Sequence, residues 1–582
     1  MEARHRRRPR EAWLPVAWVA FLSLLMTAPT LAPGFVLSYD LVFTPRQDLL
    51  PGSLGIGGAL PRAVPQDALV AVVETVLPGS VLEKVVLLAI PVVTGLGVLR
   101  LLRGQSASAR IVAGTLAIWN PFVAERLVLG HWGLLLAYAL VPWALASALD
   151  VRRGVPGAGT RLVLQVAAAG LTPSGSLLVA LLAVPVALLP GSRAGVGRRA
   201  AIAAASVATW VPWLMPALLH PSALANDPLG VRVFALRDEG WGIVVSILGL
   251  GGVWNAEVVP ASRGWVSAPV LALVIVAFAA YGTRPLVSAL GRVTAAWWAT
   301  CALVGALAAL ASALLPGPWS SLLAALPGGG LLRDAHKLLA PLALLLAVGA
   351  GFGVARLAAR SADRATRLTA VAAAVLIPIA LLPDLAWGVG GRLAPVDYPP
   401  EWAAAREVLL VDSRPGDVAV LPWSAFRRFT WNADRTVLDP APRWLPRTSV
   451  GSDGLAVRTP DGVVVVAGED PRGRAVESAL QSGNPIAPEL ARLGIGWVLV
   501  ELGQQPAVSP SSLTGLEQVP LLSGWPGRAD SGLALYAVPG PIAASSSPPG
   551  AALIVAADLI VLGLLAGIAA VAAAGAWRRR PS

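Results

Sequence analysis

Two polar segments of this chain carry residue types that could do chemistry, and both lie between long apolar runs. SYDLVFTPRQDLLP contains Asp40 and Asp48, and WNPFVAERLVLGHW contains Glu125, Arg126 and His131. A carboxylate near a membrane surface, partly shielded from water, can deprotonate a hydroxyl or hold a metal ion. We therefore predict that Asp40 and Asp48 are catalytic and that the second segment binds substrate. The alternatives are solvated loop aspartates and a helix-end ion pair.

Two further charged segments follow. GGGLLRDAHKLLAPL contains three potential cations, which are Arg333, His336 and Lys337. The planar fork of arginine and the compact charge of lysine suit a phosphate group, so we predict that these three residues bind a lipid phosphate. Glu239, in a charged turn, is predicted to contact substrate. The alternatives are cations anchored at the lipid headgroups and acidic residues that favour a helix N-terminus.

The composition indicates what must position these residues. The chain has 582 residues, of which 56% are hydrophobic and 13% charged, with a mean hydropathy of +0.69. This is typical of a membrane protein. The net charge of +12 does not indicate nucleic-acid binding, because the arginines are spread over small loops. The chain contains no P-loop, G-x-S-x-G or H-E-x-x-H sequence, so an ATPase or a serine or zinc hydrolase is not supported.

The arginine clusters recur only on alternate gaps between the apolar runs, outside the long segment near the C-terminus. Short loops rich in arginine stay in the cytoplasm. This pattern predicts a multi-pass protein of the plasma membrane with both termini cytoplasmic, in contact with anionic lipid headgroups. All four polar segments then lie on the outer side. Two of them lie in the outer loops 34–79 and 220–264, and each of these loops is predicted to contain an amphipathic or interfacial helix on the membrane surface.

About twelve spans are predicted, since a spanning helix needs about 20 apolar residues. They lie near 12–33, 80–101, 109–123, 132–149, 161–171, 176–190, 200–219, 265–282, 293–315, 338–358, 367–387 and 551–577. The short pair at 161–190 is either a hairpin of two spans or a re-entrant segment. Residues 1–11 form a basic tail, 12–388 the membrane domain, and 549–582 the last span with a second basic tail.

Residues 389–548 differ in composition from the rest of the chain. Short runs of β-forming residues bounded by Pro and Gly alternate with helical patterns, for example VAVLPW, VVVVAG and WVLVEL. Alternation of this kind predicts a small extracytoplasmic α/β domain.

Four segments of the chain resemble landmarks of the GT-C superfamily of membrane glycosyltransferases: YDLVFTPRQDLLPG, WNPFVAERLVLGHWG, LLRDAHKLLA and ARLGIGWVLVE. Within that superfamily the chain is similar to actinobacterial arabinofuranosyl- and mannosyltransferase-like proteins. The resemblance implies a GT-C-like membrane domain and transfer of a sugar from a polyprenyl-phosphate donor to an envelope glycan or glycolipid, with inversion at the anomeric carbon.

The resemblance also implies roles for individual residues. Asp40 matches the acidic residue of the first outer loop, which serves as a base or contacts a divalent cation such as Mg²⁺ or Mn²⁺. Arg333, His336 and Lys337 would serve the lipid phosphate. Two other functions stay open at this point: a transporter or flippase of lipid-linked intermediates, and a non-catalytic envelope-assembly protein.

Overall fold

The computed structural model describes residues 9–57, 61–220, 228–361, 363–459, 462–521, 532–544 and 550–577. Its helices, in chain order, are α1 (Pro9–Thr27), α2 (Gln66–Val73), α3 (Gly79–Leu101), α4 (Ala107–Ile118), α5 (Pro121–Val128), α6 (Trp132–Arg152), α7 (Ala158–Ala169), α8 (Pro173–Leu188), α9 (Val196–Ala208), α10 (Val211–Leu219), α11 (Pro228–Val233), α12 (Ile243–Leu248), α13 (Ser267–Tyr281), α14 (Thr283–Leu290), α15 (Arg292–Leu314), α16 (Pro316–Ala325), α17 (Ala340–Arg360), α18 (Arg364–Leu381), the left-handed turn α19 (Ala386–Gly390), α20 (Pro400–Val411), α21 (Ala441–Trp444), α22 (Pro471–Gln481), α23 (Ala487–Arg492) and α24 (Ala551–Trp577). Its strands are β1 (Asp417–Leu421), β2 (Phe426–Arg428), β3 (Thr436–Leu438), β4 (Ser449–Val450), β5 (Leu455–Thr459), β6 (Gly462–Val466), β7 (Ile495–Glu501), β8 (Glu517–Val519) and β9 (Leu533–Ala537).

The polytopic helical membrane fold is confirmed. Within the described ranges, eight helical segments are long and apolar enough to cross a bilayer, and counting two bent pairs as spans gives ten. The predicted total of twelve is not confirmed. The difference is the pair at 161–190, whose helices α7 and α8 have 12 and 16 residues. Both are shorter than the length of about 20 residues that a bilayer requires.

The membrane helix that precedes the second polar segment breaks at Asn120 and Pro121, a pair of residues that predicts the end of a helix. Helix α4 ends at Ile118, and the side chain of Asn120 then accepts a hydrogen bond from the backbone N–H of Val123. Pro121 occupies the first position of α5, where a missing N–H costs nothing. The chain therefore restarts at once as a short helix. This helix, α5, is buried from Phe122 onward, whereas the sequence predicted a connection on the outer surface.

The predicted C-terminal domain contains a mixed five-stranded sheet in the order β4-β1-β7-β9-β8. Strand β1 pairs in parallel with β4 and β7, while β9 pairs antiparallel with β7 and β8. Every residue of β7 is buried, which explains its continuous apolar sequence. Helices α20, α22 and α23 occupy the predicted helical segments, whereas the two-stranded hairpins β2–β3 and β5–β6 include short strands that were not predicted.

This domain packs directly against the first outer loop. Phe35 and Val396 exchange two backbone hydrogen bonds of 2.7 and 2.9 Å. Further along the loop, Tyr39 pairs with strand β3. The predicted amphipathic helix of this loop is α2, and Asp67 in its first turn bonds Arg443 of the C-terminal domain at 3.2 Å. The first outer loop is thus held from both sides.

The ends of the chain and part of the second outer loop cannot be compared with the predictions. Parts of both predicted basic tails, residues 1–8 and 578–582, lie outside the described residues. The same is true of residues 221–227 in the second loop. In the described part of that loop, the predicted interfacial helix is α12, which has only six residues.

Candidate active site

Asp40 is positioned by hydrogen bonds of the backbone around it. Tyr39 adopts the left-handed conformation, with a φ of 46°, and its N–H donates to the carbonyl of Thr436 at 2.7 Å. The N–H of Asp40 donates to the carbonyl of Leu129 at 3.1 Å. Asp40 therefore lies between the C-terminal domain and the end of α5.

Gly130 makes this close approach possible. Its φ is +74°, and a Cβ atom at this position would lie 2.0 Å from the backbone nitrogen of Leu41. Any other residue would be strained by the backbone conformation and would also displace the Asp40 loop. The glycine of the WNPFVAERLVLGHW segment thus allows the loop to dock on α5, a role that the sequence alone did not reveal.

Docking brings Asp40 to His131, with 3.2 Å between Oδ2 of Asp40 and Nε2 of His131. The other ring nitrogen, Nδ1, lies 2.9 Å from Nη1 of Arg126. A guanidinium group has only donors, so Nδ1 must be the acceptor and the proton of neutral His131 is on Nε2. His131 therefore donates that proton as a hydrogen bond to the Asp40 carboxylate.

The protonation states agree with this arrangement. Burial lowers the pKa of His131 below its ordinary value, although the Asp40 carboxylate opposes this effect, so His131 is neutral at pH 7. Burial raises the pKa of Asp40, but the hydrogen bond from His131 and the charges of Arg443 and Lys337 outweigh it. The net pKa of Asp40 is below 3.8, and the carboxylate is ionised at neutral pH.

Arg126 is the centre of a buried polar layer behind this pair. Its side chain is fully buried, and its two terminal nitrogens donate to both carboxylate oxygens of Asp334 at 2.5 and 2.8 Å. The same nitrogens donate to Nδ1 of His131 and to Nδ1 of His336. One guanidinium group thereby orients two imidazole rings. Although burial favours the protonated form of Asp334, the charge of Arg126 outweighs it and holds the pKa of Asp334 far below its ordinary value.

His336 connects Arg126 to Glu125. Its Nε2 lies 3.3 Å from the carbonyl of Leu250 and 3.4 Å from Oε2 of Glu125. The Glu125 carboxylate is fully buried and accepts a hydrogen bond from the N–H of Val253 at 3.3 Å. The adjacent residues Glu125 and Arg126 therefore take part in one continuous layer.

Three further cations lie close enough to Asp40 or Asp334 to act on them electrostatically. Lys337 lies 3.8 Å from Asp334 and is 27% exposed. The guanidinium of Arg333 stacks over the ring of Phe234 at 4.7 Å, and burial lowers its pKa. Arg443, which sequence reasoning missed, is contributed by the C-terminal domain. Its charge acts on Asp40.

Four of the predicted site residues are placed differently from the prediction. Arg126 and His336 are buried and hydrogen-bond other side chains of the protein. Glu239 is also buried, because it pairs with Arg263 at 2.6 Å. Asp48 pairs with Arg406 of α20 at 2.5 Å, so Asp40 and Asp48 have separate partners.

Among the residues that the structure describes, no three His, Cys, Asp or Glu side chains form a group that could hold a metal ion. The divalent cation that the resemblance implies for Asp40 stays a prediction.

Comparison with known proteins gives the fold its name. No protein-family model matches the sequence, and no curated protein matches it. A solved structure of the arabinofuranosyltransferase AftD from Mycobacteria matches 90% of this chain with a TM-score of 0.56 and 19% identity. AftD is a GT-C glycosyltransferase. The chain has the GT-C fold.

This chain corresponds to only 42% of the length of that AftD chain. Two other GT-C proteins also match. ArnT from Cupriavidus metallidurans has a TM-score of 0.45 and 13% identity, over 91% of this chain and 99% of its own. An oligosaccharyltransferase from Archaeoglobus fulgidus has a TM-score of 0.43 and 11% identity, over 84% and 69%. The predicted GT-C-like membrane domain is confirmed by the AftD match. The roles of the site residues stay predictions.

Proposed function

We propose that this protein is a glycosyltransferase that transfers a sugar from a polyprenyl-phosphate donor to a glycan or glycolipid of the cell envelope. The observation that carries the proposal is the pair formed by Asp40 and His131 within a GT-C fold. An ionised carboxylate, oriented by a neutral imidazole and bordered by cations, is a suitable arrangement for deprotonating a hydroxyl next to a phosphate leaving group.

The proposed reaction uses Asp40 as the general base. The acceptor hydroxyl attacks the anomeric carbon of the donor sugar, and its proton passes to Asp40. The bond between the anomeric carbon and the phosphate oxygen breaks, and the polyprenyl phosphate leaves with the electron pair. His131 keeps its own proton and holds the carboxylate oriented toward the acceptor, as the buried layer around Arg126 requires.

Lys337, Arg333 and Arg443 are proposed to stabilise the charge that develops on the departing phosphate. All three act electrostatically on Asp40 or on its neighbour Asp334. Fixed cations at a leaving phosphate lower the transition-state energy without reorganising during the reaction.

The C-terminal domain is proposed to bind the acceptor, because it supplies Arg443 and the backbone contact to Tyr39. Two tryptophans of this domain, a residue type that often stacks on sugars, are not available to the acceptor. Trp402 and Trp444 are buried in the domain core, where they pack on Tyr398 with ring centroids 5.7 and 4.7 Å away. The predicted outward orientation of this domain is part of the proposal.

The test is an assay of the purified protein with a radiolabelled lipid-linked sugar and a cell-wall glycan acceptor. Asp40→Asn removes the base and should lower the rate about 10²- to 10⁴-fold. Asp434→Asn is the matched control. Asp434 is exposed on the C-terminal domain at a φ of 53°, which asparagine tolerates. Equal rates for Asp40→Asn and the control would rule out Asp40 as the base. Movement of the lipid across vesicles without product would favour the transporter alternative.

A further inference from the structure

A second charged site lies at the opposite end of helix α6 from His131. His131 immediately precedes the first residue of α6, and Asp150 lies near its last residue. At 1.5 Å per residue, the helix separates them by about 30 Å, which is the thickness of the hydrocarbon core. The site around Asp150 therefore belongs to the other membrane interface, which the arginine pattern predicts to be cytoplasmic.

Four arginines from three segments surround this one carboxylate. The Asp150 side chain is only 1% exposed, and it contacts Arg100 at 3.3 Å, Arg153 and Arg161 at 3.5 Å each, and Arg103. We call these five residues the Asp150 cluster. One carboxylate neutralises one of four guanidinium charges, so the cluster retains three positive charges.

The dipoles of the neighbouring helices cancel only a small part of these three positive charges. The C-termini of α3 and α6 each contribute about half a negative charge, but the N-terminus of α7 contributes about half a positive charge. Arg161 lies in that first turn of α7, where the dipole disfavours a cation. The structure thus contains an excess of about two to three positive charges that the described protein groups do not balance.

The N-terminus of α7 adds donors to the same place. The helix begins after Gly157, whose φ is 74°, and no side chain caps it. The Nη1 atom of Arg161 lies 3.6 Å from the position that a Cβ of Gly157 would occupy, so the guanidinium extends over the uncapped helix end. The Nε atoms of Arg100 and Arg161 are buried with no acceptor among the described residues.

Other arginines on this side have a different role, which separates them from the cluster. Arg152 donates to the carbonyls of Val186 and Leu189 at the end of α8, at 3.1 and 3.0 Å. Arg199 donates to the carbonyl of Leu188 at 2.9 Å. These two side chains cap the C-terminus of α8, which is a structural role. Within the described part of the chain, the arginines of the Asp150 cluster instead share the carboxylate of Asp150 as their acceptor.

We propose that the Asp150 cluster binds a phosphate-bearing anion with two or more negative charges. Guanidinium groups bind phosphate oxygens through paired N–H donors, and an uncapped helix N-terminus favours the same ligand. The cluster lies at the predicted depth of the lipid headgroups, so the expected source is an anionic phospholipid. A soluble phosphate compound would satisfy the same chemistry. The proposal does not depend on sugar transfer.

The test measures retention of cardiolipin, which carries two phosphates, and uses inorganic pyrophosphate as the soluble probe. The full-length protein is reconstituted in phosphatidylcholine nanodiscs with and without cardiolipin, extracted, and weighed by native mass spectrometry. Pyrophosphate binding is titrated separately at low salt. The variant Arg103→Gln/Arg153→Gln removes the two most exposed cations of the cluster. The matched control, Arg284→Gln/Arg292→Gln, removes two exposed arginines from another loop on the same side.

We expect wild type and the control to retain one cardiolipin, and the cluster variant to bind it about thirtyfold more weakly, since each cation near an anionic surface contributes about one factor of five. Pyrophosphate binding that is lost only in the cluster variant, with no cardiolipin retained by wild type, would support the site with a soluble ligand. Equal losses in the cluster variant and the control, or no binding of either probe by wild type, would overturn the proposal. The variant Arg103→Lys/Arg153→Lys keeps both charges and should retain binding. It therefore shows whether the loss in the glutamine variant comes from the missing charges or from misfolding.

Discussion

His131 donates its Nε2–H to Oδ2 of Asp40 across 3.2 Å, although its own pKa is lowered and the ring is neutral. Arg126 sets the direction of this hydrogen bond, because it donates to Nδ1 and the proton of neutral His131 is therefore on Nε2. The bond favours the ionised form of the carboxylate. The reactive carboxylate of the proposed enzyme is therefore controlled by a chain of hydrogen bonds within the protein.

Replacing His131 should change the pH dependence of activity as well as the rate. In wild type the hydrogen bond helps to lower the pKa of Asp40, so the acid limb of the kcat/KM profile should lie at a lower pH than for an ordinary aspartate. In His131→Ala the bond is lost while burial still raises the pKa. We expect the acid limb to move to higher pH and kcat to fall about tenfold or more. A profile measured between pH 3 and pH 8 checks this.

His131→Asn is the informative companion variant, because its amide can still donate a hydrogen bond. We expect it to recover part of the rate and to return the acid limb toward the wild-type position. An acid limb that stays in place in His131→Ala would mean that His131 does not act on the ionisation of Asp40.

Arg126 and Asp334 should behave as a coupled pair in stability. Arg126→Met leaves the Asp334 carboxylate buried without its partner, which costs about 3–5 kcal/mol. The double variant Arg126→Met/Asp334→Leu removes both charges and should be more stable than the single variant. Thermal unfolding in detergent checks the order of the two melting temperatures. A double variant less stable than Arg126→Met would contradict it.

The sequence predicted the helical membrane fold and several local features correctly, since these depend on neighbouring residues. Asn120 and Pro121 interrupt the helix because a side-chain cap and a missing N–H act within one turn. Strand β7 was predicted from WVLVEL, whose continuous apolar character reports a strand that is buried on both faces.

The predicted site was less complete because its contacts are distant in sequence. Arg126 and Asp334 are 208 residues apart, and a single sequence gives no sign that a loop arginine has a buried partner. Arg126 was therefore predicted to bind substrate and His336 to bind a lipid phosphate, and their contacts with each other were not foreseen. Arg443 was missed because it belongs to another domain.

Gly130→Ala should impair activity more than it impairs folding. The substitution strains a left-handed residue by about 1–2 kcal/mol, and its methyl group meets the backbone of Leu41. We expect the Asp40 loop to move away from α5 and kcat to fall, while the protein still purifies as a folded monodisperse species. Gly104→Ala is the control, because Gly104 has a φ of +94° and open space around its Cβ position. Equal activities of the two variants would show that loop docking is unimportant.

Arg427 should position Asp40 from within the C-terminal domain. It is 1% exposed and bonds Glu501 at the end of β7 and Asp439 at 3.0 Å, so it joins hairpin β2–β3 to the central sheet. Strand β3 then holds Tyr39, since the N–H of Leu438 donates to the Tyr39 carbonyl at 2.8 Å. Loosening the hairpin should displace the residue next to Asp40.

We therefore expect Arg427→Met to lower kcat about tenfold or more while the KM for the lipid-linked donor changes little, because a small misplacement of a catalytic group is costly. The control is Arg492→Met, which breaks an exposed ion pair with Glu489 and should leave both constants unchanged. Arg427→Lys keeps the charge and should recover part of kcat. A rise in KM with unchanged kcat would instead assign Arg427 to substrate binding.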